Sequence, residues 1–303
     1  MDFKDLSYVV AIAKHQNITK AADSLFVTQP TLTKFLQHLE RDLGQKLFRK
    51  LGNRFILTYA GERYVEKAIE LLNLKKELDQ EMRDIVKNNA GSLKIAFPMM
   101  RGTYMLPCTL PVFNSRYPNV KLDILEAHSS LLEGMLLSGE ADIAFFNLPI
   151  KSPDVDFEII SHEEVLLVMA ADHPLACKGV CREGCKYPWM DLHLAQREPF
   201  IMQLPQQRTR QTVERIFREC SFVPDDIKLQ TSNISAAVDL ASKGYGLFFV
   251  TETHLKHIRL QQEIACFSVG SPCTTVDFVA ATRKGSYIPY HGREYIQIVR
   301  EFT

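Results

Sequence analysis

The stretch that decides the fold of the amino-terminal region runs from Ala21 to Gly44 and has the sequence AADSLFVTQPTLTKFLQHLERDLG. Its two adjacent alanines lie in a short predicted helix and allow another helix to cross closely. Thr28 is a good N-cap for the next helix, which tolerates Pro30 in its first turn. In that helix leucines recur at three- and four-residue spacing until Gly44 ends it, so one face is apolar and the opposite face is polar.

Elements are also predicted on both sides of this stretch. Apolar residues at helical spacing between Phe3 and Ala13 predict a first helix, and Thr19 is the expected N-cap of the second. Residues 47–57 predict a hairpin that turns at Gly52-Asn53. Two helices joined by a tight turn and followed by such a hairpin are typical of a winged helix-turn-helix. A small helical subdomain with a solvated polar face is the alternative.

Polar and basic side chains mark the face that is expected to meet DNA. Amide, hydroxyl and basic groups on such a helix can address base edges in the major groove, while basic groups on the wing can reach phosphates or the minor groove. The expected DNA contacts are Thr28, Gln29, Pro30, Thr31, Thr33, Lys34 and His38 from the helix, with Arg49, Lys50 and Arg54 from the wing.

Charge and composition limit the other classes of protein. The 303 residues carry 36 basic and 36 acidic side chains, but residues 1–58 hold nine Lys or Arg and five Asp or Glu, which leaves a charge of +4 at this end. A basic end on a neutral chain is consistent with nucleic-acid binding. No apolar run approaches the roughly 20 residues that span a bilayer, and the amino terminus lacks an export signal. A cytoplasmic protein that does not contact a membrane is therefore expected.

The amino-terminal residues resemble the signature of LysR-type transcriptional regulators. Thr33 stands where that family usually has Ser, and Lys50 where it usually has Arg. About ten signature positions match in order and register, and they lie in Ala21-Ala22, Thr28-Gln29-Pro30-Thr31-Leu32-Thr33, Leu39-Glu40, Leu43-Gly44, Leu47-Phe48 and Leu57-Thr58-Tyr59-Ala60-Gly61. The resemblance implies a DNA-binding domain over residues 1–58, a linker and dimerisation helix over 59–89, and an effector-binding domain over 90–303.

A long helix is predicted from Thr58 to about Lys87, since the segment has no proline and its glycine lies near the start. Its apolar residues alternate at spacings of four and three, interrupted by Lys75, which is the pattern of a coiled-coil seam. A second copy is the expected partner of this seam, and a core helix within one globule is the alternative. The residues expected to pair two chains are Tyr64, Ala68, Leu71, Leu78, Met82 and Ile85.

The seam and the resemblance together indicate which oligomers and partners are expected. The family forms homodimers, and these commonly pair into homotetramers. Symmetric pairing implies a roughly palindromic site on double-stranded DNA. RNA polymerase is a further expected partner of such a regulator.

The larger part of the chain alternates between strand and helix patterns, which predicts α/β architecture with an open sheet. Two such units with chain crossings between them predict a periplasmic-binding-protein-like effector domain. Lobe 1 is expected over about 90–162 and 268–303, and lobe 2 over about 163–267. Small molecules bind such folds at strand carboxyl ends and helix starts. The family resemblance continues through Leu106-Pro107, Phe113, Tyr117-Pro118, 139–144, 173–176 and 244–246.

That likeness places the effector contacts at four points of the chain. Hydroxyls and amides at helix starts suit an anionic group, and Arg101 is expected to pair with an effector carboxylate. The methionines beside it favour a partly apolar or aromatic acid. Simple N-capping by the hydroxyl residues and a solvated position for Arg101 are the alternatives. The expected contacts are Met99, Met100, Arg101, Thr103, Ser129, Ser130, Met202, Gln203, Ser232 and Asn233.

One local feature lies outside the resemblance. Cys177, Cys181 and Cys185 repeat at four-residue spacing in a segment between Pro174 and Pro188 that is longer than usual for the family. A thiol- or metal-responsive regulator is therefore the alternative function, although the spacing fits no standard zinc signature. Incidental reduced thiols are the plainer interpretation. No catalytic motif is present, so neither an enzyme nor a cofactor is expected.

Overall fold

The computed structural model describes residues 2–52, 54–86, 91–271 and 273–303. The chain divides into two compact units, Met1–Val86 and Lys87–Thr303. The predicted boundary at residues 89–90 and the residue Asn53 of the predicted turn lie outside the described residues. Along the described parts of the chain, no helix is both long and apolar enough to cross a bilayer.

The amino-terminal unit has four helices and one hairpin among its described residues. A buried cluster that includes Val9, Ile12 and Leu32 joins the first three helices. The second helix is capped by Asn17, whose side chain accepts from the amides of Thr19 and Lys20, so the assignment of Thr19 as N-cap was wrong. The elements are α1 Phe3–His15, α2 Ile18–Ser24, α3 Gln29–Asp42, β1 Phe48–Leu51, β2 Arg54–Leu57 and α4 Tyr59–Val86.

The first turns of the long helix α4 pack against the other elements of this unit. A Cβ atom added to Gly61 would lie 2.0 Å from the carbonyl oxygen of Leu47, so only glycine permits this approach. Lys75, the polar interruption of the predicted seam, lies over the ring of Phe3 and pairs with Asp79. At about 1.5 Å per residue the 28 residues of α4 form a rod of about 42 Å.

The carboxyl-terminal unit consists of strands and helices in alternation. Its strands are β3 Gly91–Pro98, β4 Val120–Ala127, β5 Ile143–Asn147, β6 Val155–Ala170, β7 Pro199–Gln203, β8 Asp226–Thr231, β9 Leu247–Thr251, β10 Ile264–Ser268 and β11 Thr275–Arg283. Its helices are α5 Met99–Arg116, α6 Leu132–Leu137, α7 Arg208–Glu219, α8 Ile234–Ser242, α9 Glu252–His257 and α10 Tyr290–Glu301.

Strand pairing divides this unit into two lobes. The order is β4-β3-β5-β11-β6-β9-β7-β8, and β10 pairs with β6. We define lobe 1 by β4, β3, β5, β11 and the part of β6 that pairs with β11, from Val155 to Glu164. Lobe 2 contains the rest of β6 with β10, β9, β7 and β8. The long strand β6 therefore carries the chain from lobe 1 into lobe 2, and β11 brings the chain back to lobe 1.

Two helices begin at residues that affect the cleft between the lobes. Helix α5 begins at Met99, so the predicted effector residues Met99, Met100 and Arg101 lie in its first turn. Helix α6 begins only at Leu132 and has no side-chain cap, which corrects the expectation that Ser129 and Ser130 open it. Strands β8 and β10 and helix α9 were missed because short segments carry weak periodicity.

Candidate functional site

The outer face of α3 presents the polar residues that the sequence singled out. Thr28 caps the helix by accepting from the amide of Thr31. The side-chain amide of Gln29 donates to Thr33 Oγ1 at 2.8 Å, so these two groups are held together on one face. Thr33 is half-buried, and the other predicted helix contacts are exposed, namely Thr28, Gln29, Pro30, Thr31, Lys34 and His38.

A buried carboxylate fixes the wing against α3. Glu40, only 6% exposed, accepts from Lys46 Nζ at 2.7 Å and from the amides of Leu47 and Phe48 at 2.9 and 3.2 Å. Strands β1 and β2 pair in antiparallel register from Phe48 to Leu51. The wing consequently has a defined position relative to α3, and it exposes all three predicted cations, Arg49, Lys50 and Arg54.

The predicted pairing seam of α4 is only partly available to a second chain. Leu71, Leu78 and Met82 are exposed at 40%, 55% and 47%. Ala68 is buried within its own unit, so its assignment to the seam was wrong, and Tyr64 packs on the same core. This difference arises because the first turns of α4 cover the apolar face of α1. The side chain of Ile85 lies outside the described residues.

A cavity of about 290 Å³ lies between the two lobes. Lobe 1 contributes the end of β3, the start of α5, the loop before α6 and the end of β5. Lobe 2 contributes the starts of α7 and α8 and one residue of α9. Predicted residues in its lining are Met99, Met100, Arg101, Ser129, Ser232 and Asn233, and the lining that was not predicted consists of Pro98, Ala127, His128, Asn147, Gln207, Arg208, Thr209, Ile234 and His254.

The remaining predicted effector residues lie elsewhere. Met202 and Gln203 are buried in β7, and Gln203 donates to the carbonyl of Phe249, so neither lines the cavity. Thr103 and Ser130 are exposed and also lie outside its lining. Four of the ten predicted effector residues therefore lie outside the lining of this cavity. The sequence placed Met202 and Gln203 at the end of a strand, but the direction of their side chains depends on the packing of lobe 2.

Arg101 has a different role from the expected one. It is fully buried, and its guanidinium donates to both carboxylate oxygens of Glu163, at 2.6 and 2.8 Å, and to Asn147 Oδ1 at 2.8 Å. Burial alone would raise the pKa of Glu163, but the charge and hydrogen bonds of Arg101 outweigh it and lower that pKa to about 2. The expectation that Arg101 pairs with an effector carboxylate is therefore corrected, because its charge is already compensated.

Two lining residues that the sequence did not reveal change the chemistry of the cavity. Arg208 reaches across the cleft to Glu133, with 2.5 Å between Nη2 and Oε1. Burial, followed by the nearby charge of Arg101, lowers the pKa of His254 to about 3, so this imidazole is neutral at pH 7. Neither residue belongs to a local motif, and no sequence signal identified them.

The cysteines are arranged differently from the predicted cluster. Cys185 forms a disulfide with Cys273, with 5.9 Å between the Cα atoms, while Cys177 and Cys181 are exposed free thiols. The interpretation of Cys185 as an incidental reduced thiol is thus corrected. Within the described parts of the chain, no group of three or more His, Cys, Asp or Glu residues is arranged to hold a metal ion.

Two family models match the chain. The model described as bacterial regulatory helix-turn-helix protein, lysR family, matches residues 3–62. The model described as LysR substrate binding domain matches residues 87–303, which is more than half of the chain. This chain belongs to the LysR family of transcriptional regulators. It is accordingly a DNA-binding regulator with an effector-binding domain.

Three similar proteins match the chain over nearly its full length. The uncharacterized HTH-type transcriptional regulator YcgK of Bacillus subtilis is 28% identical, and the match covers 99% of this LysR-type regulator and 94% of YcgK. A full-length OxyR variant from Pseudomonas aeruginosa has a TM-score of 0.71 at 22% identity, covering 100% of this chain and 97% of OxyR. CbnR complexed with its target DNA has a TM-score of 0.61 at 22% identity, covering 100% of both chains. The two structural likenesses support the fold.

Proposed function

We propose that this LysR-type regulator binds a palindromic DNA site as a homodimer or homotetramer, with α3 in the major groove and the wing on the backbone. The observation that supports this is the exposed polar face of α3, held to a wing of three exposed cations by the buried Glu40. The exposed leucines and Met82 of α4 supply the pairing surface. RNA polymerase is the expected partner of the DNA-bound assembly.

DNA reading is tested by selecting binding sites from a library of random duplexes with the full-length protein. The selected sites are expected to have two-fold symmetry. Gln29→Ala should then reduce the ratio of affinities for the selected site and a scrambled duplex. An unchanged ratio would contradict the assignment of α3 as the recognition helix. Lys121→Ala, an exposed change in the carboxyl-terminal unit, is the control.

We further propose that the interlobe cavity binds the effector and that the effector is a small carboxylate, such as an aromatic acid. The cavity volume of about 290 Å³ suits a compact molecule, and Met99, Met100 and Ile234 offer it an apolar surface. Ser232 and Asn233 add polar groups at the start of α8. Thermal unfolding of the full-length protein with a panel of aromatic and aliphatic acids and their neutral amides tests this site. A cavity-filling Ser232→Trp variant that responds to the acids like the wild type would contradict it.

The Cys185–Cys273 disulfide supports a second candidate function, a thiol-responsive regulator. The two loops that carry these cysteines are also joined by hydrogen bonds, from Trp189 Nε1 to the carbonyl of Gly270 at 2.6 Å and from Arg182 Nη2 to Ser271 Oγ at 3.0 Å. Cys273 lies two residues before β11, which returns the chain to lobe 1. The disulfide therefore joins a loop of lobe 2 to the segment in which the chain crosses between the lobes.

Oxidation of the two thiols would transfer two electrons to a hydroperoxide or disulfide oxidant and release two protons. DNA affinity is then expected to differ between the oxidised and dithiothreitol-reduced proteins. Cys273→Ser should behave the same under both conditions, whereas Cys177→Ser should respond like the wild type. Equal affinity of the oxidised and reduced wild-type protein would exclude this function.

A further inference from the structure

Arg208 joins the two lobes across the cleft. It is the first residue of α7 in lobe 2 and is 6% exposed, yet its guanidinium contacts groups of lobe 1. Nη2 donates to Glu133 Oε1 at 2.5 Å, Nε to the carbonyl of Ser129 at 3.4 Å, and Nη1 to the carbonyl of Pro149. The guanidinium carbon lies 4.3 Å from the centre of the Phe146 ring. This one side chain therefore holds lobe 2 against lobe 1 while it lines the cavity.

Glu133 also accepts hydrogen bonds from donors other than Arg208. Its second oxygen, Oε2, accepts from the amides of Lys151 and Ser152 at 3.0 and 2.9 Å. Both amides belong to lobe 1, so these bonds do not depend on the position of lobe 2. If Arg208 moved away, the Glu133 carboxylate would still be hydrogen-bonded, and its negative charge would remain compensated in part.

The carboxylate partner of Arg101 cannot be replaced in the same way. Its ion pair with Glu163 is buried on both sides, each side chain being 1% exposed, and Asn147 closes the network. Separating that pair would leave two charges deep in the protein, which is strongly destabilising. Of the two arginines that line the cavity, Arg208 is therefore the one whose carboxylate partner can be replaced.

On the basis of the proposed effector site, we propose that Arg208 recognises the anionic group of the effector and that the effector carboxylate replaces Glu133 as its partner. Arginine pairs with carboxylates in a bidentate geometry that either anion can satisfy. The exchange converts a contact between the lobes into a contact between lobe 2 and the ligand. Because the ligand then binds one arrangement of the lobes better than the other, it shifts the equilibrium between them.

Benzoate and its neutral analogue benzamide test this exchange in the full-length protein. Glu133→Gln removes the competing charge, so it should bind benzoate at least tenfold more tightly than the wild type does. The wild type should bind benzoate more tightly than benzamide, and Arg208→Gln should lose this preference. The double variant Glu133→Gln/Arg208→Gln keeps a neutral polar pair across the cleft, which protects folding, and it should also show no preference for the anion. Calorimetric titration and thermal unfolding give the affinities.

The outcomes separate this inference from the proposed effector site. If Arg208→Gln and the wild type bind benzoate equally, the cavity remains a binding site and the role of Arg208 is overturned. If Glu133→Gln gains no benzoate affinity, the exchange is overturned as well. The panel of acids and amides with the Ser232→Trp variant then decides the effector site independently.

Discussion

The wing beside α3 and the interlobe cleft both carry basic side chains, but they use the charges in opposite ways. On the wing, Arg49, Lys50 and Arg54 are exposed. In the cleft, Arg101 and Arg208 are buried, and each is paired with a carboxylate. Exposed cations suit a large polyanion such as DNA, which releases counterions when it binds. Buried and paired cations suit a small ligand that must compete for a partner, so binding there can change the structure.

The largest expected effect of a substitution lies in the cleft. Glu163→Ala leaves the fully buried guanidinium of Arg101 without its carboxylate, and a broken buried pair costs about 3–5 kcal/mol. Urea unfolding of the carboxyl-terminal unit, followed in the full-length protein, measures this loss. Glu158→Ala is the matched control on the same strand, because its ion pair with Arg300 is exposed and should contribute about 0–1 kcal/mol. Equal losses for the two variants would remove the distinction between buried and exposed pairs.

The same carboxylate predicts a dependence of stability on pH. The pKa of Glu163 is lowered from 4.5 to about 2 in the folded protein, so its contribution is complete above the unfolded value and is lost as the pH falls from 4.5 towards 2. The loss should be about 3 kcal/mol, since each pKa unit corresponds to about 1.4 kcal/mol. Unfolding of the wild type and Glu163→Gln across this range measures it. Parallel curves for the two proteins would contradict the assignment.

The amino-terminal unit also contains a buried carboxylate, that of Glu40. Glu40→Ala removes the acceptor for the buried amides of Leu47 and Phe48, which should cost about 1–3 kcal/mol. Hydrogen exchange at these two amides should become faster, and DNA affinity should fall because the wing is no longer fixed. Asp42→Ala, at an exposed position on the same helix, is the control. Unchanged exchange in Glu40→Ala would show that another group holds the wing.

The smallest expected effect belongs to a single exposed cation of the wing. Arg54→Ala should weaken binding to all duplexes alike and reduce the slope of log affinity against log salt by about one. Fluorescence anisotropy at several salt concentrations measures the slope, with Lys121→Ala as the control. A loss of sequence preference without a change of slope would instead place Arg54 at a base edge.

Sequence reasoning was most successful where the information is local. Leucine spacing and Gly44 defined α3, and the alternation of strand and turn residues defined the wing. In the cleft, strand ends and helix starts predicted six of the residues that line the cavity, but Met202 and Gln203 are buried in β7. The direction of a side chain at a strand end depends on which elements cover each face of the sheet. Residues far apart in the chain set that packing.

The sequence by itself determined the winged helix-turn-helix, the long helix and the α/β pattern, because periodicity and turn chemistry act between neighbouring residues. Only the tertiary structure decided the charge pairs of the cleft and the partner of Cys185. Arg208 meets Glu133 across 75 residues of sequence, and Cys185 meets Cys273 across 88. Such contacts exist because two lobes are brought together by β6 and β11, and the spacing of residues along one segment carries no record of them.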